Sequence, residues 1–307
     1  MMHWRIIPGT LIWLALSNSL FSQEARLAYN LRPGHHYLLD IEIQQNTRSE
    51  SMISEEISMF SHLKLDFLVD SVEKPGLIHM TGRYSELLLS MLAPGLSLDL
   101  NSKTGRNRIL SDLIDTMQRG CFRITMKESG ELVSLKGMNE IFKSLASYPS
   151  SDSAELEVIL NTLEEAYGIN AFFSIFNLFV AFYPAVQPIR NWTRDFTYFL
   201  NTKQVQMVNR YYFTRTTEKL NIIQGLGMLN SVKEYSETTS LGSVKSSVSG
   251  TQTYDYQAFR ESGWLSKCVS RQRVLVETTI VESPGLPSGL KIPSYTETLF
   301  EVKGSEL

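Results

Sequence analysis

The stretch from residue 53 to 69 constrains the fold more than any other. Ile53, Ile57, Met59, Leu63, Leu65, Phe67 and Val69 all occupy odd positions, with mostly polar residues between them. Successive side chains of a strand point to opposite faces, so a period of two marks a strand with one buried side. Held over this length at about 3.3 Å per residue, the pattern describes a strand of roughly 50 Å or more. Strands of this length belong to strongly bent or barrel-like sheets. Upstream, "HHYLLDIEIQQ" places Tyr37, Leu39, Ile41 and Ile43 on one face of a first strand.

Downstream, "EKPG" at 73–76 is a turn, with Pro75 and Gly76 supplying its backbone angles. Ile78, Met80, Gly82 and Tyr84 then share even positions, but Leu87, Leu89 and Met91 are odd. That slip of phase predicts a β-bulge near Ser85–Glu86. "LSLDL" is a further short strand. "RILSDLIDTMQRG" reads as a helix, with Ile109, Leu113 and Met117 at helical spacing and Gly120 ending it. "CFRITM" and "LVSL" form a hairpin across "KESG" at 127–130.

From about Met138 the period changes. "MNEIFKSLA", "SDSAELEVILNTLEEAYG" and "NAFFSIFNLFVAF" read as three helices. Ser151 or Ser153 caps the second and Gly168 stops it. Pro184 is expected to end the third. From Trp192 the strand pattern returns: Trp192, Phe196, Tyr198 and Leu200 alternate. Further strands follow at "QVQMVNRYYFTRTTEKL", "MLNSVKEYSETTSL", "VSGTQTYDYQAF", "WLSKCVSRQRVLVETTI" and "YTETLFEV". The fold class is therefore α+β and predominantly antiparallel β, with long bent strands in half-barrel-like sheets and a central helical segment. Residues 24–137 form an N-terminal β region, 138–183 the helical segment and 184–307 a C-terminal β region.

Residues 1–23 read as a secretory signal peptide. Arg5 precedes an apolar run from Ile6 to about Leu16, and a stretch of small residues follows. The apolar run is too short for a membrane-spanning helix, which needs about 20 such residues. The longest later apolar run, "FFSIFNLFVAF", has 11 residues, so the mature chain is expected to have no membrane span. The expected location is outside the cytoplasm, periplasmic or extracellular. With 29 Lys and Arg against 32 Asp and Glu and no basic block, nucleic acid is excluded as a partner. The two cysteines, Cys121 and Cys268, can pair under oxidising conditions or stay as free thiols.

The tripeptide Glu-Ser-Gly occurs at 128–130 and again at 261–263, each time before an apolar run. Two readings stand: a duplicated β-unit, or two unrelated hairpins using the same turn chemistry, with glycine at positive φ.

Four segments carry a resemblance: "LRPGHHYLLDIEIQQ", "GCFRITMKESGELVSLKGMNEIF", "FYPAVQPIRNWTRDF" and "YDYQAFRESGWLSKCVSR". In this order they resemble an uncharacterised family of exported Gram-negative proteins, known as a domain of unknown function. The family's Pro-x-x-Pro segment reads Pro184-Ala-Val-Gln-Pro188 here, one residue longer, and leads to Trp192 without the usual Gly-Asp before the Trp. The resemblance implies export and a mostly antiparallel β fold. It implies no catalytic residues.

The residues themselves point away from catalysis. There is no Gly-x-Ser-x-Gly elbow, His-Glu-x-x-His pair, Walker loop or dinucleotide-binding glycine motif. "KTG" at 103–105 and "SHLK" at 61–64 lack the element that would join them into a β-lactamase-like signature. His35 and His36 are adjacent, so from a regular strand they face opposite sides and cannot share a metal. His62 and His79 lie off the apolar phase. No metal and no cofactor is expected. Three Asp-(Ser/Thr)-apolar triplets, starting at Asp70, Asp115 and Asp152, match an O-glycosylation acceptor pattern of some exported bacterial proteins. Phe172, Phe176 and Phe179 fall roughly along one helix face, where they belong to a core or line a pocket for an acyl chain. The expected function is a non-catalytic interaction or structural module of the cell envelope, with an envelope protein as partner. A periplasmic carrier of a hydrophobic ligand such as a lipid is the alternative, and an unrecognised hydrolase stands third.

Overall fold

A computed structural model describes residues 27–50, 55–73, 76–101, 108–149, 153–186, 190–200, 203–239 and 242–307. The expected signal peptide, the 103–105 turn, the Ser151 cap and the Asp152 triplet lie outside these residues. The N-terminal part supplies β1 (His36–Ser49), β2 (Glu55–Glu73), β3 (Leu77–Ala93), β4 (Leu96–Asn101), α1 (Arg108–Arg119), β5 (Phe122–Lys127) and β6 (Leu132–Lys136). Three helices follow: α2 (Met138–Ala146), α3 (Ser153–Tyr167) and α4 (Ile169–Phe179). The remainder is β7 (Asn191–Leu200), β8 (Lys203–Thr216), β9 (Leu220–Ser231), β10 (Tyr235–Thr239), β11 (Gly242–Phe259), β12 (Leu265–Glu282) and β13 (Lys291–Glu306).

All the strands belong to one antiparallel sheet, ordered β6, β5, β3, β2, β1, β13, β12, β11, β9, β8, β7. β4 pairs with β3 and β10 with β11. The sheet is open, with β6 and β7 at its two edges. Each half is a meander, and β13 joins them by pairing with β1 on one side and β12 on the other. The long period-two run is β2, with 19 residues. The expected bulge is present: Lys64 pairs with Glu86 and Leu65 with Tyr84, which leaves Ser85 as the extra residue.

One face of this bent sheet is apolar. Across it, Leu63, Ile41, Val302, Cys268, Tyr256 and Ile223 follow one another from strand to strand in register, and all are buried. The helical segment packs on this face and ties both halves together. Phe172 of α4 meets Phe122 of β5 edge-on, with ring centroids 5.0 Å apart, and Phe179 meets Phe300 of β13 at 5.5 Å. The Tyr84 hydroxyl donates to Tyr167 O (2.7 Å), and the Tyr167 hydroxyl donates back to Leu88 O (2.7 Å). Burying each such aromatic side chain is worth about 1.5–3 kcal/mol.

Two element boundaries differ from expectation. α4 ends at Phe179, before the proline expected to stop it. Side chains from elsewhere capture the carbonyls at its end: Tyr256 Oη donates to Leu178 O, Tyr29 Oη to Val180 O (2.9 Å) and Trp192 Nε1 to Phe182 O (2.7 Å). These tertiary bonds replace continued helical ones. "MLNSVKEYSETTSL" is not one strand either. β9 ends at Ser231, and "YSETT" forms β10, which turns back along β11.

Candidate functional site

The bend of the sheet creates an inside and an outside, and chemistry on either face could serve function. Inside, Phe172, Phe176 and Phe179 are brought together and fully packed. Phe172 stacks on Phe176 at 5.6 Å, and their outer neighbours are the rings of Phe122 and Phe300. These three side chains therefore meet other rings, not open space.

The inner face also carries a buried polar row that the sequence did not single out. Register sets Gln252 directly opposite Gln272 and Tyr254 opposite Ser270. Gln272 Nε2 donates to Gln252 Oε1 (2.7 Å), and Gln252 Nε2 donates to Ser270 Oγ (2.7 Å). Asn209 Nδ2 donates to Tyr211 Oη and Tyr254 Oη, both at 2.9 Å. The Asn209 carboxamide lies over Gly227, where any Cβ would collide with its oxygen. Burial raises the Tyr211 and Tyr254 hydroxyls well above their ordinary pKa, and it pushes Tyr198, beside Gln272, to about 12. These groups stay neutral and act as hydrogen-bond partners. A buried amide costs more unpaired than it gains paired, so the row specifies one strand register. The usable signal was polar residues at inward phase positions.

The two Glu-Ser-Gly turns share one task. The residue 27–31 segment lies between them. Tyr29 N–H donates to Glu128 O (2.8 Å), and Asn30 N–H donates to Ser262 O (2.7 Å). Gly130 (φ 82°) and Gly263 (φ 74°) both adopt the left-handed conformation. A Cβ on Gly130 would strike the Val180 carbonyl oxygen, and one on Gly263 would strike that of Ala28. The Tyr29 ring is enclosed by Tyr183 (5.0 Å) and Trp264 (5.8 Å).

The cysteines do not pair. Cys121 is exposed, whereas Cys268 is buried on the inner face of β12. Five strand spacings separate β5 from β12, about 24 Å along the sheet, far beyond disulfide reach. Burial pushes the Cys268 thiol well above its ordinary pKa, and Asp255 adds to the effect. The native protein is therefore expected to react with a chromogenic thiol reagent at one site per chain. The second thiol should become reactive only on denaturation. Two fast-reacting thiols in the native protein would contradict this packing.

Outside, two regions stand apart from an ordinary solvated surface. On β8 and β9, Val208 pairs with Met228, and Leu226 and Tyr212 lie beside them, all well exposed. Met228 is 57% exposed and Tyr295 45%. Between these two residues lies a groove of about 400 Å³, lined by the apolar Met228, Leu275 and Tyr295 and the polar Ser249, Thr251, Arg273 and Glu297. Arg273 Nε is 3.0 Å from Glu297 Oε1. Exposed apolar side chains gathered beside such a mixed groove commonly mark a contact site.

On β1 to β3 the outer face is charged. His36 Nδ1 is 2.7 Å from Asp66 Oδ1, and Arg83 donates twice to Asp66 Oδ2 (3.0 and 2.7 Å). Burial alone would raise the Asp66 carboxyl, but the bonds from His36 and Arg83 outweigh it and hold the group below its usual pKa. His35 lies just before β1, outside the strand. His79 Nδ1 lies 3.1 Å from Thr125 Oγ1. Among the described residues, Asp40, Glu42 and His62 are the group able to offer three metal-ligand atoms close together.

The described residues build a half-barrel of two meanders with a helical plug. The chain belongs to a family of unknown function, DUF6263, whose model matches residues 75–265. No curated protein matches it. Among solved structures it is similar to lipovitellin, studied for lipid–protein interactions, at 10% identity and a TM-score of 0.47. That likeness covers 91% of this chain but only 26% of the lipovitellin chain. It is also similar to OpdQ of Pseudomonas aeruginosa, at 8% identity and a TM-score of 0.21, over 90% of this chain and all of the other. At these values neither likeness carries an argument.

Proposed function

We propose that this protein is an exported, non-catalytic module of the cell envelope that works by surface contact with another envelope protein. The observation that carries the reading is the filled interior. The helical segment occupies the inside of the bent sheet, and Phe172, Phe176 and Phe179 spend their surface on Phe122, Phe300 and one another. The exposed groove between Met228 and Tyr295, apolar at these two ends and polar between them, then offers the contact surface. The pattern of residues 1–23 supports export.

Native mass spectrometry of the protein recovered from a periplasm tests this against the carrier alternative. The expected spectrum shows the bare mass of the processed chain. A reproducible added mass that is lost on organic extraction would overturn the reading in favour of a bound lipid or similar ligand. The same spectrum reports whether residues 1–23 have been removed.

A further inference from the structure

The charged outer face of β1 and β2 holds a compact set of metal-ligand atoms. Asp40 and Glu42 project from β1 two residues apart, and His62 of β2 stands directly opposite Glu42. One ligand atom from each lies within 4.8 Å of the other two. His62 Nε2 is 2.7 Å from Asp40 Oδ1, and its Nδ1 is 3.8 Å from Glu86 Oε1. On the other flank, Glu42 faces Glu301 of β13 across the strand pair. Like charges placed directly opposite destabilise a sheet.

The positive charge nearby lies to one side. Lys64 bridges Asp40 (3.5 Å) and Glu86 (2.8 Å), and Lys303 pairs with Asp40 in register. Asp40, Glu42, Glu86 and Glu301 thus outnumber Lys64, Lys303 and the Lys267 opposite Lys303 by one negative charge. The imbalance sits at Glu42. Its half-buried carboxylate makes no hydrogen bond or ion pair with any described residue. A divalent cation between Glu42, Asp40 and His62 would neutralise this excess.

We propose that Asp40, Glu42 and His62 bind a divalent transition-metal ion of the zinc class. The imidazole nitrogen selects that class, because calcium takes six to eight oxygen ligands and magnesium an octahedral set of oxygens. Tetrahedral coordination with bonds of about 2.0–2.1 Å places ligand atoms roughly 3.4 Å apart. The β1–β2 pairing fixes the three backbone positions, so binding asks His62 Nε2 and Asp40 Oδ1 to part from 2.7 Å and the Glu42 carboxylate to close in on them. Three protein ligands leave a fourth position for water or for a side chain from a contacting protein. The inference stands independently of the envelope reading.

The test uses the untagged full chain, stripped with EDTA and titrated with Co²⁺ by absorption and with Zn²⁺ by calorimetry. One equivalent is expected to bind, with d–d bands of nitrogen and oxygen ligation. His62→Gln should weaken binding by about 100-fold or more, and Glu42→Gln by at least about 10-fold. His36→Gln removes an imidazole paired to Asp66 but outside the three-ligand set, so it should bind like the parent chain. Absence of one-equivalent binding, equal affinity in His62→Gln, or loss in His36→Gln would each overturn the proposal. If His62→Gln fails to fold, Glu42→Gln decides the matter, because Glu42 makes no bond that the fold requires.

Discussion

Gly130→Ala should lower stability by about 3 kcal/mol or more, while Gly34→Ala should cost only about 1 kcal/mol. Both glycines have φ near 80°, so each substitution carries the left-handed backbone penalty of about 1–2 kcal/mol. They differ in their surroundings. Nothing lies within 4 Å of a Cβ built on Gly34, whereas one on Gly130 runs into the Val180 carbonyl oxygen and comes within 2.9 Å of the Tyr29 ring. A backbone carbonyl cannot rotate away as a side chain can. Relief would require the Glu-Ser-Gly turn to release the 27–31 segment, with loss of the Tyr29-to-Glu128 hydrogen bond. Chemical denaturation of both variants measures the difference directly. Equal midpoints would mean that the turn does not hold that segment.

Phe172→Ala should cost about 3–5 kcal/mol, the range for truncating a buried aromatic. The side chain is 2% exposed and contacts Phe122 and Phe176. Its removal leaves a cavity between the helical plug and β5. Phe172→Leu should recover most of the loss, because it restores volume more than shape. Were these rings the wall of a ligand pocket, truncation would enlarge the pocket and leave stability nearly unchanged. Thermal melts of the two variants therefore distinguish a core ring from a pocket wall without any ligand in hand.

Local signals in this sequence translate faithfully into structure. The period of β2 and the bulge at Ser85 were legible because strand phase depends only on neighbouring residues. α1 was legible for the same reason, with Ile109, Leu113 and Met117 spaced on one face. What escaped the sequence depends on partners far along the chain. The pairing of β1 with β13 joins residues more than 240 positions apart, such as Thr47 and Thr296. No periodicity encodes that choice. The end of α4 is set by hydroxyls of Tyr29 and Tyr256, not by Pro184. The Asp40–Glu42–His62 group exists only once the register of β1 against β2 is fixed. His62 was visible as an outward residue, but its neighbours were not. The Gln252–Gln272 pair likewise needs the β11–β12 register before two polar residues become partners.

The position of β13 has a consequence for how the molecule is made. It is the last strand in chain order, yet it occupies the middle of the sheet, between β1 and β12. Until it arrives, the two meanders are separate sheets, each with a long unpaired edge of the kind that recruits foreign strands. Folding therefore waits on the most distant contact in the chain, a topology associated with slow formation and aggregation-prone intermediates. During synthesis, β1 must stay unpaired on one side until β13 has been made. A chain truncated before Lys291 would keep most of its apolar residues but expose both central edges, and it should be recovered as aggregate, not as a smaller soluble fold.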